Sequence, residues 1–224
     1  MSVSVIIPTL NEESCLGDTL VLLRQHEPRE IIVVDGGSND ATCRLAAAAD
    51  LLLHGPPGRA GQMNLGAAHA TSDVLLFLHA DCGLESGALR DAERRLSRSG
   101  VVAGCFTMKV RGHGWRYRGI DLCATARVRL AGLVYGDQGL FLKRAWFRQL
   151  GGFPRLAFME DLFFSRTLRR HGRITVSPRQ IFVSPRRWER AGLVRQSLRN
   201  WLLTGLAASG IDPDRLAALY PVVR

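Results

Sequence analysis

The sequence predicts an α/β domain with a doubly wound, mostly parallel central sheet flanked by helices. Two observations carry that prediction. Short apolar runs alternate with helix-patterned segments through the first hundred residues, the βαβα order of a parallel sheet. Three of those runs also end in polar or acidic groups. Ser4-Val5-Ile6-Ile7 leads into Pro8-Thr9-Leu10-Asn11-Glu12, and Ile31-Ile32-Val33-Val34 leads into Asp35-Gly36-Gly37-Ser38. Val74-Leu75-Leu76-Phe77-Leu78 leads into His79-Ala80-Asp81. Open α/β sheets bind ligands outside the carboxyl ends of their strands. A plain core would not need that pattern.

Each element follows from local signals. Strand 3–8 precedes a helix over 13–26, with Leu16, Leu20 and Leu23 at helical spacing. Strand 30–35 precedes a helix that Asp40 caps and that carries Ala46 to Ala49. A short strand 51–54 runs through Gly55-Pro56-Pro57-Gly58 into a helix over 59–70. Strand 73–79 then leads to a helix over 86–98 with Ser86 as its cap. After Gly100 the rhythm changes, to a longer strand 101–110 and an arginine-studded helix 115–131. Gly136-Asp137-Gln138-Gly139 opens a strand through Leu142, and Gly151-Gly152-Phe153-Pro154 marks a turn. A helix over 160–171 begins with Glu160-Asp161, acids suited to its positive end. Short strands at 173–177 and 181–184 precede a final amphipathic helix, 190–208.

The 224 residues suffice for one well-buried domain. No run approaches the roughly 18 apolar residues of a membrane span. The first residues enter a strand with no basic region and apolar signal core, so a cytoplasmic protein is expected. Five scattered cysteines, never in a CxxC pair, argue for reduced thiols and against both a disulfide frame and a zinc site. The net charge of +10 rests almost wholly on arginine and crowds Arg111–Arg129 and Arg166–Arg199. That balance favours an anionic partner: a nucleotide, a phosphorylated acceptor, a membrane surface or nucleic acid. Aromatic residues make up only 7% and form no base-stacking module, which argues against nucleic acid.

Five motifs stand in order across most of the chain: Pro8-Thr9-Leu10-Asn11-Glu12, Val34-Asp35-Gly36-Gly37-Ser38-Asn39-Asp40, His79-Ala80-Asp81, Gly136-Asp137-Gln138-Gly139 and Glu160-Asp161. Together they resemble a family 2 glycosyltransferase of the GT-A fold, in a short bacterial, non-processive form. The resemblance implies one domain over 1–224. Its first half, 1–100, would bind a nucleotide sugar, and 101–224 would bind the acceptor and carry the base. It implies that Pro8, Thr9, Asn11, Glu12 and Asp35 hold the base and ribose of a nucleotide-diphospho-sugar, with uridine the expected base. A carboxylate accepts well from an imide N–H or a ribose hydroxyl; helix capping and turn formation are the structural alternative.

Arg59, after a Gly-Pro-Pro-Gly turn, opens a helix whose free amides suit an anion; the resemblance implies a place near the diphosphate, and a solvated arginine is the alternative. His79-Ala80-Asp81 stands where the family carries its DxD element. Asp81 would bind Mg²⁺ or Mn²⁺ bridging the two phosphates, a Lewis-acid role. Histidine at the first acidic position departs from that pattern; it suits Mn²⁺ better than Mg²⁺, and contact with the ribose or simple packing stays open for His79. Glu160-Asp161 occupies the place of the catalytic base. Asp161 would take the acceptor proton in an inverting transfer, with Glu160 beside it for acceptor binding or orientation. Arg186-Arg187-Trp188 resembles the arginine–tryptophan element of polymerising members, although Ser184 replaces its glutamine. Arg187 would steady the diphosphate and Trp188 would stack on a sugar or serve the fold.

The final helix places Val194, Leu198, Trp201, Leu202 and Leu206 in one stripe among Arg190, Arg195 and Arg199. Such a stripe packs on its own domain or on a second copy; peripheral association with an anionic membrane is the alternative. Two other readings of the whole stay open. A nucleotidyltransferase shares the βα rhythm but opens with a glycine- and arginine-rich loop, and a degenerate sugar-nucleotide binder would explain His79.

Overall fold

The computed structural model describes residues 2–112, 114–156, 159–208, 211 and 216. Strands β1 (Val3–Thr9), β2 (Glu30–Asp35), β3 (Leu51–His54) and β4 (Val74–Phe77) pair in parallel in the order β3-β2-β1-β4. Val5, Ile7, Ile31, Val33, Leu76 and Leu78 pack on one face of the sheet. Ile6, Ile32, Val34, Leu75 and Phe77 pack on the other. Helices α1 (Leu16–Arg24), α2 (Thr42–Ala46) and α4 (Ala88–Leu96) cover the first face, and α3 (Arg59–His69) covers the second. Coverage on both sides is why these strands read as unbroken apolar runs. Gly66 lets α3 lie close: a Cβ there would fall 2.5 Å from Ile6 Cγ2 and 3.1 Å from Val34 Cγ2.

The second half extends the sheet with β5 (Cys82–Leu84), β6 (Val101–Val110), β7 (Leu140–Lys143) and β8 (Arg173–Val183), in the order β4-β7-β6-β8-β5. Strand β7 is antiparallel to β4 and β6, β8 is parallel to β6, and β5 is antiparallel to β8. The doubly wound, mostly parallel sheet is present, with antiparallel strands confined to the later half. Helices α5 (Trp115–Ala131), α6 (Arg144–Gln149), α7 (Glu160–Arg169), α8 (Arg186–Ala191) and α9 (Leu193–Ala208) complete the chain. No helix of the described residues is long and apolar enough to cross a membrane.

Several sequence-based boundaries move. Helix α1 starts at Leu16 because the Cys15 and Leu16 amides turn back onto the Glu12 carbonyl. Asp40 accepts the Thr42 amide at 2.9 Å, but α2 ends at Ala46. Ser86 does not cap α4; Gly87 does, at φ 76°, where glycine is unstrained. Residues 136–138 form a 3₁₀ turn ahead of β7. The two short late strands are one, β8, with a bulge at Pro178-Arg179, since Ser177 pairs with Phe106 and Gln180 with Thr107. The bulge accommodates a proline that cannot donate to the ladder. Strand β5 and helix α6 had no sequence signal, being three and six residues long.

The final helix is broken into α8 and α9 at Gly192, φ 80°. Its expected stripe does not pack as one. Leu203 and Ala207 are buried and Leu206 is partly buried, whereas Leu198 and Leu202 are exposed. The inward face is thus rotated by about one residue; the side chains of Val194 and Trp201 lie outside the described residues.

Four phenylalanines dock α6 and α7 onto the sheet. Phe77 of β4 meets Phe147 and Phe153, and Phe164 of α7 meets the same two, with centroids 4.8–5.6 Å apart. Aromatic pairs at such separations add roughly 0.5–1.5 kcal/mol each beyond area burial. Asn64 of α3 clasps the backbone of Phe153 through both its N–H and its carbonyl, each at 2.9 Å. The start of α7 is therefore fixed relative to β4 and α3.

A buried carboxylate ties α4 to β8. Asp91 accepts from Ser177 Oγ at 2.6 Å, Arg95 Nε at 2.6 Å, and Arg94. Burial alone would raise its pKa, but hydrogen bonds from Ser177, Arg95 and Arg94 outweigh that and hold it at about 2. A depressed carboxylate stabilises the fold above its unfolded value, and that contribution is lost as pH falls toward about 2. Asp91→Asn is expected to cost at most about 2 kcal/mol at neutral pH. Urea unfolding at neutral pH and through the acid window should show the variant losing less stability on acidification than the parent.

Candidate active site

The carboxyl ends of β1 and β2 form the first wall. Thr9 is buried, and its Oγ1 lies 3.3 Å from the Val34 carbonyl. Gln62 of α3, also buried, donates to the carbonyls of Thr9 at 2.7 Å and Val34 at 2.8 Å. The Asp35 carboxylate shapes the following turn: Oδ2 accepts from the Gly37 and Ser38 amides, each at 2.9 Å, and Oδ1 from Ser38 Oγ. Burial raises the Asp35 pKa, but the bonds from Ser38, Gly37 and Cys43 bring it below the ordinary range. The loops after β1 and β2 are stitched together. Asn11 N–H donates to Ser38 Oγ and Asn11 Oδ1 accepts from Asn39 N–H, each at 2.9 Å. Glu12 N–H donates to Thr42 Oγ1 at 2.8 Å, and Ala41 N–H donates to Glu13 Oε2 at 3.0 Å. Asn11 sits at φ 55°, a left-handed conformation that asparagine tolerates well.

The second wall is the turn after β4. His79 to Cys82 reverses the chain, with the Cys82 amide on the His79 carbonyl. Thr19 of α1 donates to the Ala80 carbonyl at 2.6 Å, so Ala80 is buried and anchored. This anchor holds the turn that carries His79 and Asp81. Asp81 is left partly exposed with Arg186 Nη2 3.9 Å away. Arg186 also donates to Ser14 Oγ at 2.7 Å and Ser184 Oγ at 3.2 Å. Trp188 is buried and packs in the core cluster on the first face of the sheet. The side chain of Arg187 lies outside the described residues.

The third wall is the start of α7. Met159, at φ 63°, turns the chain into the helix, a strained setting for a non-glycine residue. Glu160 is buried and ion-paired with Arg59 Nε at 2.9 Å. Burial and the neighbouring Asp161 charge raise the Glu160 pKa against the opposing pull of Arg59. Asp161 Oδ2 accepts from the Gly136 amide and Oδ1 from its helix amide at Leu162, at 2.7 Å. His79 closes on the same point. A Cβ built on Gly136 would lie 2.5 Å from His79 Nε2 and 3.3 Å from Asp161 Oδ2. Imidazole and carboxylate therefore converge over a glycine that leaves room for both.

The fold thus gathers Arg59, His79, Glu160 and Asp161 through Gly136 and α3, and sets Pro8, Thr9, Asn11, Glu12 and Asp35 at two adjacent strand ends. The arginine–tryptophan element gives no role to Arg186, whose contact with Asp81 spans about a hundred residues of sequence. A single carboxylate at a strand end, partly exposed, fits a hard cation completed by phosphate oxygens and water.

Comparison with known proteins agrees with this architecture. The chain is 36% identical over 95 residues to 4,4'-diaponeurosporenoate glycosyltransferase from Staphylococcus haemolyticus (strain JCSC1435), spanning 38% of this chain and a quarter of that relative. The mannosyltransferase PcManGT from Pyrobaculum calidifontis, solved with GDP-Man and Mn²⁺, superposes with TM-score 0.72 at 22% identity, covering 97% of this chain and 67% of that one. S. aureus TarS 1-349 with UDP-GlcNAc gives TM-score 0.64 at 20% identity, over 82% of this chain and 58% of that one. These likenesses establish the GT-A fold. The Glycosyl transferase family 2 model matches residues 4–149, well over half of the sequence, and the chain belongs to that family.

Proposed function

We propose that this protein is an inverting glycosyltransferase that moves a sugar from a nucleotide-diphospho-sugar to a hydroxyl acceptor. The convergence of Asp161 and His79 at Gly136, beside the Glu160–Arg59 pair, carries this reading. Asp161 accepts the acceptor's proton as the hydroxyl oxygen bonds to the anomeric carbon. The bond from that carbon to the diphosphate breaks on the opposite face, and the nucleoside diphosphate departs. Glu160, locked by Arg59 and buried, is a positioning residue that fixes the orientation of Asp161.

Asp81 is the residue that would hold a divalent cation, Mg²⁺ or Mn²⁺, which neutralises charge on the leaving diphosphate. Arg186 adds a permanent positive charge at the same place. Asp35 and the stitched loops after β1 and β2 would take the nucleoside. Uridine is the expected base; the GDP-Man in one structural relative makes guanosine the competing arm of the assay.

Four outcomes test the reading. Asp161→Asn should keep nucleotide affinity by calorimetry yet lose about 10²–10⁴-fold in transfer, the usual share of a general base. With an α-linked donor the product should be β-linked by NMR; a retained configuration removes Asp161 from the role. Asp81→Ala, or chelation of the parent enzyme, should abolish donor turnover while leaving thermal stability near normal. Turnover unaffected by either would refute the cation's part. Gly136→Ala should lower kcat on the order of 10²-fold with KM for the donor little changed, because displacing His79 and Asp161 spoils alignment.

A further inference from the structure

The carboxyl end of β2 holds a cluster in which Cys43 and His54, unlike Asp35, have no part in the sugar transfer proposed above. Asp35 and His54 are register partners on the parallel strands β2 and β3, so the pleat sends both side chains to the same side. Cys43, in the first turn of α2, reaches the same spot, and its thiol hydrogen-bonds the Asp35 carboxylate. An Asp35 carboxylate oxygen, Cys43 Sγ and a His54 ring nitrogen lie within 4.8 Å of one another. Asp35 is buried, Cys43 half-buried and His54 exposed, so the cluster opens to solvent on the imidazole side.

We propose that Asp35, Cys43 and His54 form a binding site for a thiophilic divalent cation, with Zn²⁺ the best fit. The donors are one oxygen, one sulfur and one nitrogen, each of a type zinc accepts. Three protein ligands leave a fourth, tetrahedral position for water. On binding, the Cys43 thiol proton passes to solvent, a sulfur–metal bond replaces the S–H, and the carboxylate exchanges its thiol contact for the metal. Thiolate and imidazole disfavour Mg²⁺ and Mn²⁺ and favour metals later in the first-row order. This site and Asp81 therefore sort cations by hardness. Because the metal would engage Asp35, it would compete with the nucleoside, a corollary that rests on the nucleotide role proposed above.

Cobalt reports on such a site, since Co²⁺ bound by thiolate shows a sulfur-to-metal charge-transfer band where Zn²⁺ is silent. The tag-free, reduced full chain should bind one equivalent of Co²⁺ with that band, and Zn²⁺ should bleach it. Cys43→Ser should abolish the band, and Cys123→Ser, which removes an exposed thiol elsewhere, should keep it. His54→Ala should weaken Co²⁺ binding by more than the roughly tenfold that even an outer-shell partner costs. Circular dichroism and melting temperature confirm that each variant is folded. Absence of the band in the parent, or its persistence in Cys43→Ser, overturns the site. UDP and GDP should each be tested for displacing Co²⁺. A band that neither nucleotide diminishes upholds the metal site and removes Asp35 from nucleotide contact, so the two failures read apart.

Discussion

The ion pair between Arg59 and Glu160 joins the two halves of this protein at the point where their chemistry must meet. Arg59 opens α3, which packs against β1 and β2; Glu160 opens α7, which packs against β6 and β8. A buried carboxylate without its partner is strongly destabilising, so the pair specifies geometry more than it adds net stability. It also sits next to Asp161, whose charge already raises the cost of ionising Glu160. The arginine makes two adjacent carboxylates tolerable in one small space.

Helix α3 distributes that constraint. Within six residues it sends Arg59 to α7, Gln62 to the carbonyls ending β1 and β2, and Asn64 to the backbone of Phe153. Three polar side chains thus tie one rigid helix to the first and third walls of the site and to the loop ahead of α7. The phenylalanine cluster then excludes water behind these contacts, which keeps the low-dielectric surroundings that make the ion pair and amide bonds directional.

Much of this was legible in the amino-acid order. Parallel strands buried on both faces produce unbroken apolar runs, so β1, β2 and β4 announced themselves, and their polar ends located the site. Elements whose existence depends on a distant partner did not. Strand β5 has three residues and exists because β8 pairs with it, and the Pro178 bulge looked like a strand break because proline cannot continue a ladder. Trp188 resembled a sugar platform from its neighbours alone; its burial follows from where α8 lands. Ala80 shares a motif with Asp81, and its anchor, Thr19, lies some sixty residues earlier in the chain. The Asp35–His54 juxtaposition arises from strand register, which spacing along the chain does not encode.

The stitching of the loops after β1 and β2 has a kinetic consequence. Side chains of Asn11, Glu13, Ser38, Asp40 and Thr42 accept from the backbone amides of Asn11, Glu12, Glu13, Asn39, Ala41 and Thr42. Ordering a rotamer-rich side chain on association costs about 0.5–1.5 kcal/mol, and a surface ordered beforehand avoids much of it. If a nucleoside is the guest, as proposed above, these loops would form a rigid socket whose occupancy is set by how fast that guest leaves. Adaptation between guests must fall to side chains that project from this frame, while the frame itself stays still.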